Sequence, residues 1–192
     1  MPEEFVEFGR SWLHFHPGWE MIHWNEENMP ELINQKEFDQ SKALSGKANV
    51  LRYEILRKFG GVYVDTDFEC FGSLEQHLRG VRFFVGDMGF GLINNAIIGC
   101  EAEHPAVALL IRELPETFRA RANGKSLYQS GPYFLTRILR TADLSEWDAV
   151  IFPREAFYGY SWAHRYVFNQ PFKRDDYPDA LAIHHWAASW RT

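Results

Sequence analysis

The sequence predicts an α/β fold with a mostly parallel central sheet, on three observations. Apolar periods of three to four residues alternate along the chain with short contiguous apolar runs, the pattern of helices and buried strands taken in turn. Gly60-Gly61 separates one such helix from one such strand. That strand, Val62-Tyr63-Val64, leads directly to Asp65 and Asp67, two carboxylates placed where open α/β sheets hold their ligands.

Phe5, Phe8, Trp12 and Phe15 recur at helical steps and predict an amphipathic helix over 2–15, ended by His16-Pro17-Gly18. Residues 19–24 read as a short strand and 25–31 as loop. A short helix over 37–44 precedes a longer one over 46–59, which carries Val50, Leu51, Tyr53, Ile55, Leu56 and Phe59 and stops at the glycine pair. Residues 62–64 form the strand before the acids, and 68–71 continue extended. Ser73 caps a short helix over 74–79, and 81–85 and 96–99 are further buried strands. Pro105 suits the first turn of a helix running to 122, and Ser130-Gly131-Pro132 opens another that reaches Arg140. Residues 149–152 and 181–184 complete the strands.

The 192 residues have the length of one domain, with no repeat, low-complexity tract or linker to divide 1–192. With 46% hydrophobic and 16% aromatic residues the composition is globular. A formal charge of −6 argues against nucleic acid as the main partner. No apolar run is long enough for a transmembrane helix, and the acidic start lacks the features of a secretory signal. These point to a cytoplasmic protein, with peripheral attachment to the inner face of a membrane left open. Cys70 and Cys100 fit neither a disulfide framework nor a zinc site and read as reduced thiols.

Two acids on one turn suit a divalent cation shared with a phosphate. Asp67 is the expected direct ligand, while Asp65 contacts a ribose or reaches the metal through water. Asn49 and Arg52, three apart, share a helix face, and Arg52 is placed to fork onto a carboxylate or a sugar hydroxyl. His184 ends the last strand, where a neutral imidazole would complete a site suited to Mn²⁺. Alternation sends His184 and His185 to opposite faces. Ser189 and Trp190 follow, close enough to touch phosphate, although core packing accounts for a Trp equally well. Asn94 and Asn95 enter a buried strand and bond either a turn or sugar hydroxyls. Ser130 and Gly131 either offer free backbone N–H groups or simply cap their helix. Trp12, Trp19 and Trp24 read as core.

The stretches Ala48-Asn49-Val50-Leu51-Arg52-Tyr53-Glu54-Ile55-Leu56 and Phe59-Gly60-Gly61-Val62-Tyr63-Val64-Asp65-Thr66-Asp67 closely resemble the sugar-binding DxD region of the Och1-like and capsular glycosyltransferases, glycosyltransferase family 32. The large clostridial glucosylating toxins share that region. Asn95-Ala96-Ile97-Ile98-Gly99 with His104-Pro105, Ser130-Gly131-Pro132, and His184-His185-Trp186-Ala187-Ala188-Ser189-Trp190 resemble the family in the same order, from about Trp12 to Trp190. The resemblance implies a GT-A-like nucleotide-sugar-binding fold and dependence on Mn²⁺ or Mg²⁺. It also implies transfer of a hexose, with retention, from a UDP- or GDP-hexose to a saccharide or glycolipid acceptor. The acceptor hydroxyl would attack from the front face, with the leaving phosphate as its base. Asp65 and Asp67 match the DxD, Arg52 the donor-sugar arginine, His184 the metal-proximal histidine, and Ser189 and Trp190 the closing Ser-Trp near the diphosphate.

Two departures stand out. Asn49 replaces the usual Asp three before the arginine, keeping a hydrogen-bonding role and losing a charge. The family's opening Ile-Pro-Lys-x-Ile-His-x-x-Trp strand, which helps hold the base, has no counterpart before residue 12. The chain is therefore expected to be a fragment, to start upstream, or to build its base pocket another way. The alternative is a truncated, non-catalytic sugar- or metal-binding module of the same fold. A haloacid-dehalogenase-like phosphatase also sets Asp-x-Asp after an apolar strand, but Glu69 stands where a Thr or Val is expected and no loop lysine is evident.

Overall fold

The computed structural model describes residues 2–121 and 124–187. Helix α1 (Glu3–Phe15) buries Phe5, Phe8 and Trp12 along one stripe, with Glu3 and Glu4 in the first turn where the helix dipole favours acids. It lies on strand β2 (Phe68–Cys70): the Trp12 indole donates to Phe68 O at 2.9 Å, and Cys70 N donates to Ser11 Oγ at 2.8 Å. The strand expected over 19–24 does not form. Its aromatics are anchored as single rings, Trp19 stacking on His16 at 4.0 Å and Trp24 on Phe59 at 5.2 Å, with no ladder for the backbone.

Helix α2 (Gln35–Gln40) begins and ends earlier than expected, because Asn34 is pinned to the Glu54 carboxylate through N (2.8 Å) and Nδ2 (3.1 Å). Helix α3 (Leu44–Phe59) delivers the chain through Gly60 to strand β1 (Gly61–Val64). Strands β3 (Phe83–Gly89) and β4 (Leu92–Cys100) run longer than the apolar cores that marked them. They form a hairpin whose tip, Gly89-Phe90-Gly91, has positive φ at all three residues. Helices α4 (Pro105–Ala120), α5 (Ser126–Gln129) and α6 (Pro132–Arg140) cross back to strand β5 (Ala149–Phe152). Two short helices, α7 (Arg154–Phe157) and α8 (Trp162–Tyr166), precede strand β6 (Ala182–His184).

The α/β class holds, whereas the mostly parallel sheet does not. The main sheet has the order β1-β4-β3-β5, with β4 antiparallel to both neighbours and only β3–β5 parallel; β2 and β6 form a separate antiparallel pair. The physical reason is connection length. A parallel neighbour needs a crossover, which only the α4–α6 passage supplies to β3–β5, while the two-residue link Phe90-Gly91 forces β3 and β4 antiparallel. Side chains alternate across this sheet. Phe83, Val85 and Ile98 pack with Tyr53, Leu110 and Phe134 of the helices, and Phe84, Ile97 and Phe152 pack with Trp12, Phe68 and Phe157 on the other face. Among the described residues no helix is long and apolar enough to cross a membrane.

Candidate active site

The site forms where β1 ends. Asp65 N donates to Ala96 O at 2.8 Å, so β4 carries the first carboxylate one step past the strand, and Phe68 N closes the turn onto Asp65 O at 3.1 Å. Helix α3 runs behind with Asn49, Arg52 and Tyr53 buried on one face, as steps of three and four residues require. Arg52, 3% exposed, holds Asp65 Oδ1 through Nη2 at 3.1 Å, donates to Asn95 O through Nη1, and lies over the Tyr63 ring at 4.5 Å. Tyr63 OH donates to the same Asp65 oxygen at 2.9 Å. Burial opposes the charge on Arg52, and the Asp65 carboxylate, with Tyr63 and Tyr53, outweighs it and raises the guanidinium's pKa. Burial also pushes the Tyr63 hydroxyl up, so it stays a donor.

Asn95 Nδ2 donates to Asn49 Oδ1 at 3.0 Å, with Tyr53 OH and Ser130 O at 3.3 and 3.4 Å. Tyr53 OH also donates to Ser130 O at 2.8 Å. Asn49, Arg52, Asn95 and Ser130, spread over eighty residues of sequence, thus share one buried network. Asn94 takes the turn role instead, its Oδ1 accepting from Ala96 N at 3.0 Å. Of the two readings of Ser130 and Gly131, the one with free N–H groups does not apply: both amides donate to Ser126 O, at 3.0 and 2.9 Å, because α5 hands its last turn directly to α6. The Ser130 hydroxyl is buried without a partner.

Asp67 is held from the far end of the chain. His184 Nε2 lies 3.1 Å from Oδ1, Ala187 N donates to Oδ2 at 2.7 Å, and His185 N donates to the backbone O at 2.9 Å. Burial would raise the Asp67 carboxyl, but the His184 imidazole and the Ala187 amide outweigh it and hold it down at about 2. His184 stacks on Phe68 with ring centres 5.2 Å apart, and its Nδ1 is buried with no partner. His185 turns to the opposite face, its Nε2 2.8 Å from Glu69 Oε2 and its ring stacked on Phe8 at 4.5 Å. Ser189 and Trp190 lie outside the described residues.

Asp65, Asp67 and His184 each offer a ligand atom, and these atoms lie within 4.8 Å of one another. Residues 2–84 match the family described as "Glycosyltransferase sugar-binding region containing DXD motif". The matched segment, which carries Asp65 and Asp67, is similar to a DXD-type glycosyltransferase sugar-binding region.

Curated relatives carry the likeness further along the chain. Inositol phosphoceramide mannosyltransferase 3 of Schizosaccharomyces pombe is 27% identical over 206 aligned residues, covering 97% of this chain and 56% of that protein. Lactosylceramide 4-alpha-galactosyltransferase of Rattus norvegicus is 30% identical over 147 residues, covering 70% of this chain and 39% of the relative. A mannosyl phosphorylinositol ceramide synthase of Saccharomyces cerevisiae is 28% identical over 120 residues, 59% of this chain and 31% of that protein. The chain therefore spans about half, or less, of the length of these relatives. Among solved structures, the PaToxG glycosyltransferase aligns with TM-score 0.43 and 15% identity over 73% of this chain and 44% of its own. The ligand-free glycosyltransferase domain of the YGT toxin aligns with TM-score 0.49 and 10% identity over 74% and 56%.

Around the DXD turn, sequence reasoning missed the tyrosines. Tyr63 stands two residues before Asp65, on the same face of a period-two strand, and Tyr53 stands four after Asn49 on one helix face. Both spacings were legible.

Proposed function

We propose that this chain is the catalytic region of a divalent-metal-dependent, retaining glycosyltransferase. It moves a hexose from a UDP- or GDP-hexose to a saccharide acceptor, glycolipids included. The observation that carries this reading is the Asp65–Asp67–His184 convergence within a DXD sugar-binding region. The relatives' named activities, mannosyl and galactosyl transfer to ceramide-linked acceptors, support the hexose and the glycolipid.

The donor set fits Mn²⁺ or Mg²⁺: two carboxylates supply hard oxygen ligands, an imidazole favours Mn²⁺, and Asp67 is already anionic at any working pH. The unpartnered Nδ1 of His184 fits an imidazole with coordination to offer. Asp67 and His184 would hold the ion, with Asp65 beside it; bound there, it supplies Lewis-acid neutralisation of the departing diphosphate. The chain's own residues do the positioning. Arg52 and Tyr63 fix Asp65 in one rotamer from which its open oxygen accepts from a sugar or ribose hydroxyl. Asn49, Asn95, Ser130 and Gly131 serve the donor sugar from beneath the turn, and the diphosphate role assigned to Ser189 and Trp190 rests on the family resemblance alone.

A panel of UDP- and GDP-hexoses incubated with Mn²⁺, beside EDTA and an Asp67→Ala variant, tests the proposal. Release of one nucleotide, abolished by EDTA and reduced on the order of a thousandfold in the variant, is the expected result. A folded protein that cleaves no donor, with or without a glycolipid acceptor, overturns it in favour of a non-catalytic binding module.

A further inference from the structure

Residues 117–142 carry five basic residues, Arg119, Arg121, Lys125, Arg137 and Arg140, and no acid, in a chain with 26 Asp and Glu against 20 Lys and Arg. The fold gathers them along the outer side of α4, α5 and α6. In α6, Tyr133, Arg137 and Arg140 recur at steps of four and three and are exposed, while Phe134, Leu135, Ile138 and Leu139 fill the core. Contacts join this stripe to the other two helices. Tyr133 stacks on Tyr128 with ring centres 4.5 Å apart, the Arg121 guanidinium lies 5.5 Å over the Tyr128 ring, and Arg137 Nη2 donates to Thr117 Oγ1 at 2.8 Å. Leu127, Tyr128 and Tyr133 are 45%, 38% and 40% exposed, so apolar surface is set among the cations.

The charge on this face is not neutralised by the protein. The acids on α4 are already engaged, Glu116 by Arg119 at 2.5 Å and Glu113 by Arg112 at 3.4 Å. Among the described residues Arg121, Lys125, Arg137 and Arg140 form no ion pair. Arg137 is bonded to a hydroxyl, Arg140 Nη2 to Gly91 O at 2.8 Å, and Arg121 lies on a ring. Four cations on one face call for an anionic partner. A small free anion would leave the rings and Leu127 unused. A bilayer uses both: phosphate headgroups meet the cations, and tyrosines sit at headgroup level with their bodies in apolar surroundings and their hydroxyls wet. The inner side of the same elbow is the site. Ser130, between Tyr128 and Tyr133, presents its carbonyl to Tyr53 and Asn95 of the buried network. Only the α5–α6 elbow stands between the basic face and that network.

We infer that the outer face of α4–α6 docks on an anionic lipid bilayer and so brings a lipid-linked acceptor to the donor site. The purpose of the docking rests on the glycolipid reading above; the docking itself does not. Co-sedimentation with vesicles of phosphatidylcholine alone, and of phosphatidylcholine mixed with phosphatidylglycerol, tests it in EDTA and without nucleotide sugar, apart from catalysis. Wild type is compared with Arg121→Glu/Lys125→Glu, with Leu127→Ser, and with Lys58→Glu/Arg79→Glu. The last makes the same change of charge at exposed positions outside α4–α6. Thermal melts check that each variant is folded.

Wild type should pellet with the anionic vesicles, stay in solution with the neutral ones, and be released by added salt. Arg121→Glu/Lys125→Glu should weaken the partitioning by tenfold or more, on the order of what two basic groups contribute at such a surface. Leu127→Ser should weaken it roughly threefold, and Lys58→Glu/Arg79→Glu far less than the first pair. Equal binding to both kinds of vesicle, or an equal loss in the two charge-reversed variants, overturns the inference. So does retention on heparin that matches vesicle binding and is indifferent to Leu127→Ser, which would make the ligand a soluble polyanion. Donor cleavage without docking overturns this inference and leaves the catalytic reading standing. Docking by a chain that cleaves no donor supports the surface and removes the catalytic reading instead.

Discussion

Asp65 and Asp67 are separated by one residue and are held in opposite ways. Asp65 is tied locally, to Tyr63 two residues back and to Arg52 on the preceding helix, and 30% of its side chain remains exposed. Asp67 is tied across the chain, to His184 and Ala187, 117 and 120 residues away, with 12% exposed. Their partners also differ in kind. A guanidinium is not a metal ligand, whereas an imidazole is a common one. The turn thus joins a salt bridge to a group that cannot hold a cation to a contact with a group that can.

That contrast can be broken by substitution. Asp65→Ala strands the Arg52 charge in a buried position and should cost about 3–5 kcal/mol of stability, read as a lower urea midpoint at unchanged slope. Asp67→Ala leaves an imidazole and a backbone amide without their acceptor, and should cost about 1–3 kcal/mol while removing Mn²⁺ binding. If Asp67→Ala proves the more damaging to stability, the division of labour between the two acids is wrong. Tyr63→Phe, which leaves Arg52 on Asp65, should cost about 1 kcal/mol and leave the Mn²⁺-induced rise in Tm largely intact.

The smallest effect lies away from the turn. Burial pushes the Cys70 thiol up to about 11 and the Cys100 thiol up to about 12. Both should react with a disulfide reagent far more slowly than in the urea-unfolded chain at pH 8. The sign follows from the shift: the folded state holds these thiols neutral, so their contribution is fully present below the unfolded pKa near 9. It should decline as pH rises from there through about 11 and 12.

The same contrast governs what could be read from the sequence. Helix α3, the glycine stop, β1 and the acids form one local run, and periodicity with a single turn signal locates each of them. Arg52 beside Asp65 follows from helix spacing alone. Strand direction did not follow, because it depends on the hairpin tip at Gly89-Phe90-Gly91, where a Phe at positive φ replaces the usual turn residues. The register slip that seats Tyr158 against Gly86 has no local pattern at all. Ser130 joins the network by a route that neither sequence reading contained. Its backbone amide is engaged by Ser126, and what joins it to the site is its carbonyl, reached by Tyr53 and Asn95.

The pairing of β2 with β6 sets an order of events for the nascent chain. Phe68 and its neighbours leave the ribosome 116 residues of synthesis ahead of His184, a delay on the order of ten seconds. For that interval the edge of β2 lacks its partner and the Asp67 carboxylate lacks its imidazole, although Asp65 already has Arg52. An unpaired strand edge beside a large aromatic is the kind of segment that holdase chaperones retain. Conditions that stall synthesis between β2 and β6 should therefore yield aggregates nucleated at 68–70, with the rest of the fold well advanced.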